Sequence, residues 1–336
     1  MKQTLRGAGR QVGTAVLIAV VALGAITAAT LFGGGEKPTL HGPEAARWSF
    51  APHMPHRRSY TASAQVDGRV YVAAGMVGNS GKPLDIFERF DPAKNSWSPL
   101  PFVPEAFSAA AGAALGDEFY LVGGSGDPKT GPFGRQVYGY DVKTGKWTRK
   151  ADLPAKRTNL AAVALNGKVY ALGGLDPFFA SRSAFVYDPK RNTWSKSAPL
   201  PEAMHALAAV AFQGEIWTIG GQVSSGKPTR HVWIYNPRQD RWRAGPATPI
   251  ALETAGASVA GSRIYVVLER KYLTYDARTQ RWTRGPSLQV PRHALAVYAI
   301  KGMLYAMGGC IVPQLEDSSI VEKIPVRRAT ATPANQ

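Results

Sequence analysis

Residues 169–174 read Val-Tyr-Ala-Leu-Gly-Gly, a strand-forming run stopped by two glycines, and the phrase returns along the chain. It is Val-Tyr-Val-Ala-Ala-Gly at 70–75, Phe-Tyr-Leu-Val-Gly-Gly at 119–124 and Ile-Trp-Thr-Ile-Gly-Gly at 216–221. Two further copies are Ile-Tyr-Val-Val-Leu-Glu at 264–269 and Leu-Tyr-Ala-Met-Gly-Gly at 304–309. The aromatic residue stands at 71, 120, 170, 217, 265 and 305, so the spacings are 49, 50, 47, 48 and 40 residues. A period of this length is that of a propeller blade, and six copies predict six blades. Apolar residues fill both odd and even positions, as strands buried on both faces require. Glycine suits a point where backbones crowd and no side chain fits.

In five units an aromatic residue precedes a tryptophan by seven positions: Phe90 and Trp97, Tyr140 and Trp147, Tyr187 and Trp194, Tyr235 and Trp242, Tyr275 and Trp282. Between them lie Asp91-Pro92, Asp141, Asp188-Pro189, Asn236-Pro237 and Asp276, residues that open tight turns, so each pair frames a hairpin. A proline follows seven residues after Trp48, Trp97, Trp147, Trp194 and Trp242, where the chain crosses to the next unit. The glycine doublet, the aromatic, the seven-residue step and the tryptophan together resemble the Kelch repeat across residues 44–324.

That resemblance implies an all-β fold, a six-bladed Kelch-type β-propeller whose blades are four-stranded antiparallel sheets. The glycine pair would close the second strand, the tyrosine sit in the third, and the tryptophan of the fourth pack against the neighbouring blade. Three units depart from the pattern. Ala74-Gly75 softens the first doublet, and Leu268-Glu269 replaces the fifth, leaving that blade almost no loop between its second and third strands. The sixth unit has no tryptophan of its own, whereas Trp48 is unclaimed. A strand around Ala45 to Phe50 is therefore expected to complete the last blade and leave no open edge. The propeller is assigned to 39–324, between an N-terminal segment with linker (1–38) and a disordered basic tail (325–336).

Composition agrees with this class. The 336 residues include 35 Gly and 25 Pro but only 19% charged side chains, a turn-rich mixture unlike that of long helices. A hydrophobic content of 45% excludes wholesale disorder. The single cysteine, Cys310, excludes an intramolecular disulfide and a cysteine-based zinc cluster. At the N-terminus Lys2, Arg6 and Arg10 precede an apolar run from Val12 to Phe32, 21 residues long. At 1.5 Å rise per residue that run spans roughly 32 Å, close to the hydrocarbon thickness of a bilayer. The segment reads as an uncleaved transmembrane anchor, with a signal peptide cleaved near Thr27-Ala28-Ala29 as the alternative. Either way the positive flank stays inside, and the propeller is expected in the periplasm or outside the cell.

The formal charge of +17 concentrates in hairpins expected on one face, among them Lys94, Lys143, Lys190, Arg191, Arg238 and Arg278. Such a face suits anionic lipid or envelope polymer, or simply solvates the turn tips. The long loops belong to the opposite face, where binding residues usually sit. Counting back ten residues from each inner-turn glycine gives Arg58, Ala106, Arg157, Met204, Ala251 and Arg292; the next positions are Ser59, Phe107, Thr158, His205, Leu252 and His293. This count places Arg58, Arg157, Arg292, His205 and His293 around the channel mouth, with Tyr60 and Glu253 beside them. Three guanidiniums there would grip a carboxylate or acidic sugar; alternatively, the arginines tie the blades together. His53 and His56 lack a third ligand, and no metal site is expected. Phe178-Phe179 reads as a sugar-stacking pair or as a fold-back over its blade.

Two functions follow. The first is an envelope-anchored binding module recognising a protein or glycan, including an anionic one, through the loop face. The second is carbohydrate chemistry, because the resemblance extends to Kelch-type sialic acid mutarotases and, more distantly, to galactose oxidases. The copper-radical reading lacks its ligand pattern around Cys310. Mutarotation needs only an acid–base pair, for which Glu253 and His293 are the candidates. No cofactor and no nucleic-acid partner are expected, and the closed ring is expected to be a monomer.

Overall fold

The computed structural model describes residues 46–326 apart from 79–80, 127–133 and 177–178. The N-terminal apolar segment, Phe178 and the tail from 327 onward lie outside the described residues. Among the described residues there is no helix, and six four-stranded antiparallel sheets form a six-bladed β-propeller. Blade one runs from the inside outward as Ala62–Val66, Arg69–Ala73, Phe87–Asp91 and Ser96–Pro99. Blades two to five repeat this order. The last blade takes Ala296–Ile300, Met303–Met307 and Val321–Pro325 from the C-terminal end and Ser49–Ala51 from the N-terminal end. Phe50 pairs with Glu322 there, so the first strand of the chain is the outer strand of the last blade.

Tryptophan fastens each blade to the one before it. The indole N–H of Trp97 donates to Pro52 O at 2.9 Å, Trp147 to Pro101 O at 3.1 Å and Trp194 to Ala151 O at 2.9 Å. Trp242 reaches Ala198 O at 2.8 Å and Trp282 reaches Pro246 O at 2.8 Å. Trp48, buried just ahead of the closing strand, completes the cycle on Pro286 O at 2.9 Å. A buried indole keeps its donor satisfied this way while its ring packs on the preceding aromatic. Tyr140 and Trp147 lie 5.1 Å apart between centroids, and Tyr235 and Trp242 lie 5.0 Å apart. Each seam between adjacent blades holds its own apolar cluster, including the closing seam, where Val72 and Phe90 meet Tyr305 and Val321.

Six inner strands crowd one axis, and alanine and glycine dominate them, as in Ala-Gly-Ala-Ala-Leu at 111–115 and Ala-Ala-Val-Ala-Leu at 161–165. At Gly112 a Cβ would stand only 2.3 Å from Ser63 O and 2.4 Å from Ser63 N. The sixth blade places Tyr298 at the closing seam instead, and its hydroxyl lies 2.9 Å from Ser63 Oγ. At the loop end the axis is bounded by a closed belt of backbone hydrogen bonds. Ala109 N donates to Tyr60 O, Asn159 N to Ala109 O, Ala206 N to Asn159 O, Thr254 N to Ala206 O and Ala294 N to Thr254 O, all within 3.0 Å. Tyr60 N then donates to Ala294 O at 3.3 Å. Each belt residue has φ of 51–52°, a left-handed conformation that only this mutual bonding makes acceptable in six non-glycine residues.

Candidate functional site

The register of the blades sets the mouth of the axis. In every blade the backbone N–H at the second doublet position donates to a crossover carbonyl of the next blade. Gly75 reaches Phe107 O, Gly124 Arg157 O, Gly174 Met204 O, Gly221 Leu252 O, Glu269 Arg292 O and Gly309 Arg58 O. Equivalent residues are therefore Arg58, Phe107, Arg157, Met204, Leu252 and Arg292. Counting from glycine gave Ala106 and Ala251 in blades two and five, one residue out, and turn geometry explains the slip. In blades one, three, four and six both inner-turn residues have positive φ, as in Asn166-Gly167, with glycine second. In blades two and five only Gly116 and Gly261 do, and glycine comes first.

These residues precede the inner strands rather than begin them, and their side chains point into the walls. Arg58 and Arg292 are fully buried. Arg58 faces Glu88 at 2.8 Å, and Arg292 faces Glu322 at 3.1 Å while donating to Gly308 O and Ile320 O. Burial lowers both guanidinium pKa values, and the carboxylates oppose it. Arg157 pairs with Asp176 at 2.9 Å, bonds Ser181 and Ser183, and lies over the Phe185 ring. The same slot is apolar elsewhere, with Phe107 on Tyr138 and Leu252 in one cluster with Leu273. None of the three arginines lines the mouth; the tie within the blade is their observed role.

One position further on, the ring reads Ser59, Ser108, Thr158, His205, Glu253 and His293. Ser59 is buried, its Oγ 2.5 Å from Asp317 Oδ1, while the other five line a cavity of about 620 Å³ on the loop face. Tyr60, His205, Glu253 and His293 are thus brought together as the sequence suggested, and Glu253 is in register with the two histidines. Sequence reading missed Ser108, Asn159 and Gln222, which also line the cavity; correct turn register would have found Ser108. In the fifth blade the second and third strands are joined without a long loop, because Leu268 pairs directly with Lys271 across a two-residue turn. There Lys271 Nζ lies 2.5 Å from Glu269 Oε2 at the cavity wall.

Burial raises the pKa of the Glu253 carboxyl, and the charge of Glu269 adds to the effect. Burial lowers both imidazoles; Gln222 opposes this for His205, and Glu269 and then Asp317 oppose it for His293. Tyr60 is pushed up to about 12 by burial and by nearby acidic groups, and its ring meets His293 edge-on with centroids 6.2 Å apart. The wall thus offers two imidazoles whose protonated form burial disfavours and one carboxyl that retains its proton to higher pH than usual. Imidazole and carboxyl groups within reach of a bound molecule are the side chains that exchange protons with it. Among the described residues no set of three or more His, Cys, Asp or Glu side chains is arranged to hold a metal. His53 is exposed, and His56 Nδ1 lies 2.6 Å from Glu88 Oε1.

The opposite face carries the exposed cations of the outer hairpins, including Lys94, Lys146, Lys190, Arg238, Arg241 and Arg281. Part of that charge is structural: Arg69 bonds Asp91 at 3.0 Å, Lys168 bonds Asp188 at 2.6 Å and Arg263 bonds Asp276 at 2.8 Å, stapling inner turns to third strands. On blade three Phe179 stands 76% exposed, so this ring does not fold back over the blade.

A family model described as the KLHDC2/KLHL20/DRC7 Kelch-repeats domain matches residues 60–267 and, in a second alignment, 112–309. The chain is 28% identical over 292 residues to alpha-scruin of Limulus polyphemus, an alignment covering 81% of this chain and 27% of that protein. It is 31% identical over 229 residues to Kelch-like protein 35 of Mus musculus, covering 67% of this chain and 39% of that protein. The chain therefore spans well under half the length of these curated relatives. Among solved structures, YjhT superposes with a TM-score of 0.73 at 16% identity, covering 84% of this chain and 99% of that one, which is a likeness of fold. Blade order, tryptophan cycle and family match agree: the chain belongs to the Kelch-repeat family.

Proposed function

We propose that the chain is a recognition module whose loop-face cavity binds a small polar ligand or a protruding group of a partner. The observation that carries this reading is the convergence of His205, Glu253 and His293, from three consecutive blades, on one cavity of about 620 Å³. That size lies within the range of small-molecule pockets, and a few convergent polar groups on a rigid scaffold are their usual equipment. The apolar run at 12–32 with its basic flank supports tethering to a membrane and display of the propeller on the far side. Ala251, exposed on the cavity wall, provides the test. A library of polar metabolites screened by saturation-transfer NMR should yield binders whose signals vanish in Ala251→Trp at unchanged melting temperature. Binders indifferent to this change would place the site elsewhere. Export is tested separately by an impermeant maleimide on Ser195→Cys in intact cells; labelling only after lysis would refute it.

A second reading, isomerisation of a bound sugar, is favoured by one specific observation. Glu253 and His293 occupy equivalent positions of adjacent blades, one a carboxyl whose pKa burial raises and the other an imidazole whose pKa burial lowers. The acidic-sugar version loses the arginines that would have gripped a carboxylate, since Arg58 and Arg292 are sealed in the walls. An NMR exchange assay on whichever sugar binds distinguishes binding alone from anomer exchange.

A further inference from the structure

We infer that the cavity selects a hydroxylated small molecule carrying an ammonium group, an amino-sugar-like cation, and rejects its acidic counterpart; this rests on the cavity being the ligand site. The charge balance of the wall carries the inference. Arg58, Arg157 and Arg292 do not line it. Among the described residues its one lining cation, Lys271, is engaged by Glu269 at 2.5 Å. A second carboxyl, Glu253, comes from the blade between those that supply His205 and His293, and burial lowers the pKa of both imidazoles, which disfavours a positive charge on them. Among the described residues the wall thus holds two carboxyl groups against one lysine, and a bound anion would meet no unengaged cation among them.

An ammonium group fits the same wall. It donates up to three hydrogen bonds, and Glu253 offers carboxyl oxygens as acceptors. Its positive charge also offsets the repulsion from Glu269, which adds to the effect of burial in raising the Glu253 pKa. Around the rest of the wall stand Ser108, Thr158, Asn159 and Gln222, short donor–acceptor groups matched to ring hydroxyls. Tyr60 and His293, packed edge to face, add aromatic ring surface to the same wall.

Three hexoses of one scaffold separate the possibilities: glucosamine, glucose and glucuronate, titrated at pH 7 against the full-length protein in neutral detergent. Glucosamine should bind about tenfold more tightly than glucose, the scale of one charge-assisted hydrogen bond, and glucuronate more weakly than either. In Glu253→Gln, checked for an intact melting transition, glucosamine and glucose should become equal. Glucuronate bound as well as glucosamine would overturn the charge inference while leaving the cavity a ligand site. An ammonium preference that survives Glu253→Gln, or that persists in Ala251→Trp, would overturn it as well, the latter by locating binding outside the cavity. No binding of any of the three would overturn the amino-sugar class, and the metabolite screen then decides separately whether the cavity binds anything.

Discussion

Arg292 and Glu322 meet at 3.1 Å inside the last blade with both side chains fully buried. The carboxylate also accepts the backbone N–H groups of Gln289 and Val290, and the guanidinium donates to the carbonyls of Gly308, Ile320 and Ala306. Burying such a pair is tolerable only because nearly every charge-bearing atom has a partner. Removing one member should therefore cost more than replacing both. Glu322→Gln is expected to lower unfolding free energy by about 3–5 kcal/mol. The double change Arg292→Leu with Glu322→Leu, which imitates Leu252 and Leu273 of blade five, should recover much of that loss. Recovery stays partial because Gly308 O and Ile320 O lose a donor. A double-mutant cycle in urea showing two additive losses would refute the coupling.

Closure of the ring depends on the N-terminal strand. Trp48→Ala removes a buried ring, its bond to Pro286 and its edge contact with Tyr272, whose centroid lies 5.6 Å away. The expected cost is about 3–5 kcal/mol, with the largest gain in amide exchange along Val321–Pro325, the strand next to the closing one. Unchanged exchange there would mean that the strand does not depend on its anchor.

Gly112→Ala tests how tightly the inner strands crowd. A Cβ at this position meets backbone atoms of Ser63, which cannot rotate away, so blades one and two must separate. Gly116→Ala adds a Cβ into open space but at φ +60°, where only the backbone conformation is penalised. Chemical denaturation should show the larger loss for Gly112→Ala; the reverse order would contradict the close approach.

Glu253 should cost stability at neutral pH. Its carboxyl pKa is raised in the folded state, so the fold holds the proton more tightly than the unfolded chain does. The stability linked to this proton is fully present below the unfolded value of about 4.3 and falls as pH rises through the folded value. Glu253→Gln should accordingly melt higher than the parent at pH 7 and together with it near pH 4. Scanning calorimetry that found the variant lower at pH 7 would reverse the assignment. A gain in stability coupled to a loss of ammonium selectivity is the pattern of a residue kept for binding.

Sequence alone determined the blade number, the strands and the tryptophan fastening, because these follow from local pattern: glycine doublets stop strands, Asp and Asn open hairpins, and a period near 50 residues repeats the unit. It also selected Tyr60, His205, Glu253 and His293 as neighbours of the axis. Which side of the wall an arginine faces was decided only by tertiary structure. Arg58 and Arg292 turn inward because Glu88 and Glu322, about 30 residues away along the chain, stand at matching positions of the third strands. The register of the mouth escaped a count from glycine because Gly116 and Gly261 come first in their turns while the other four come second. The character of the cavity came last, since His205, Glu253 and His293 meet only when three blades close around one axis, and the burial that tunes them has no trace in the local sequence.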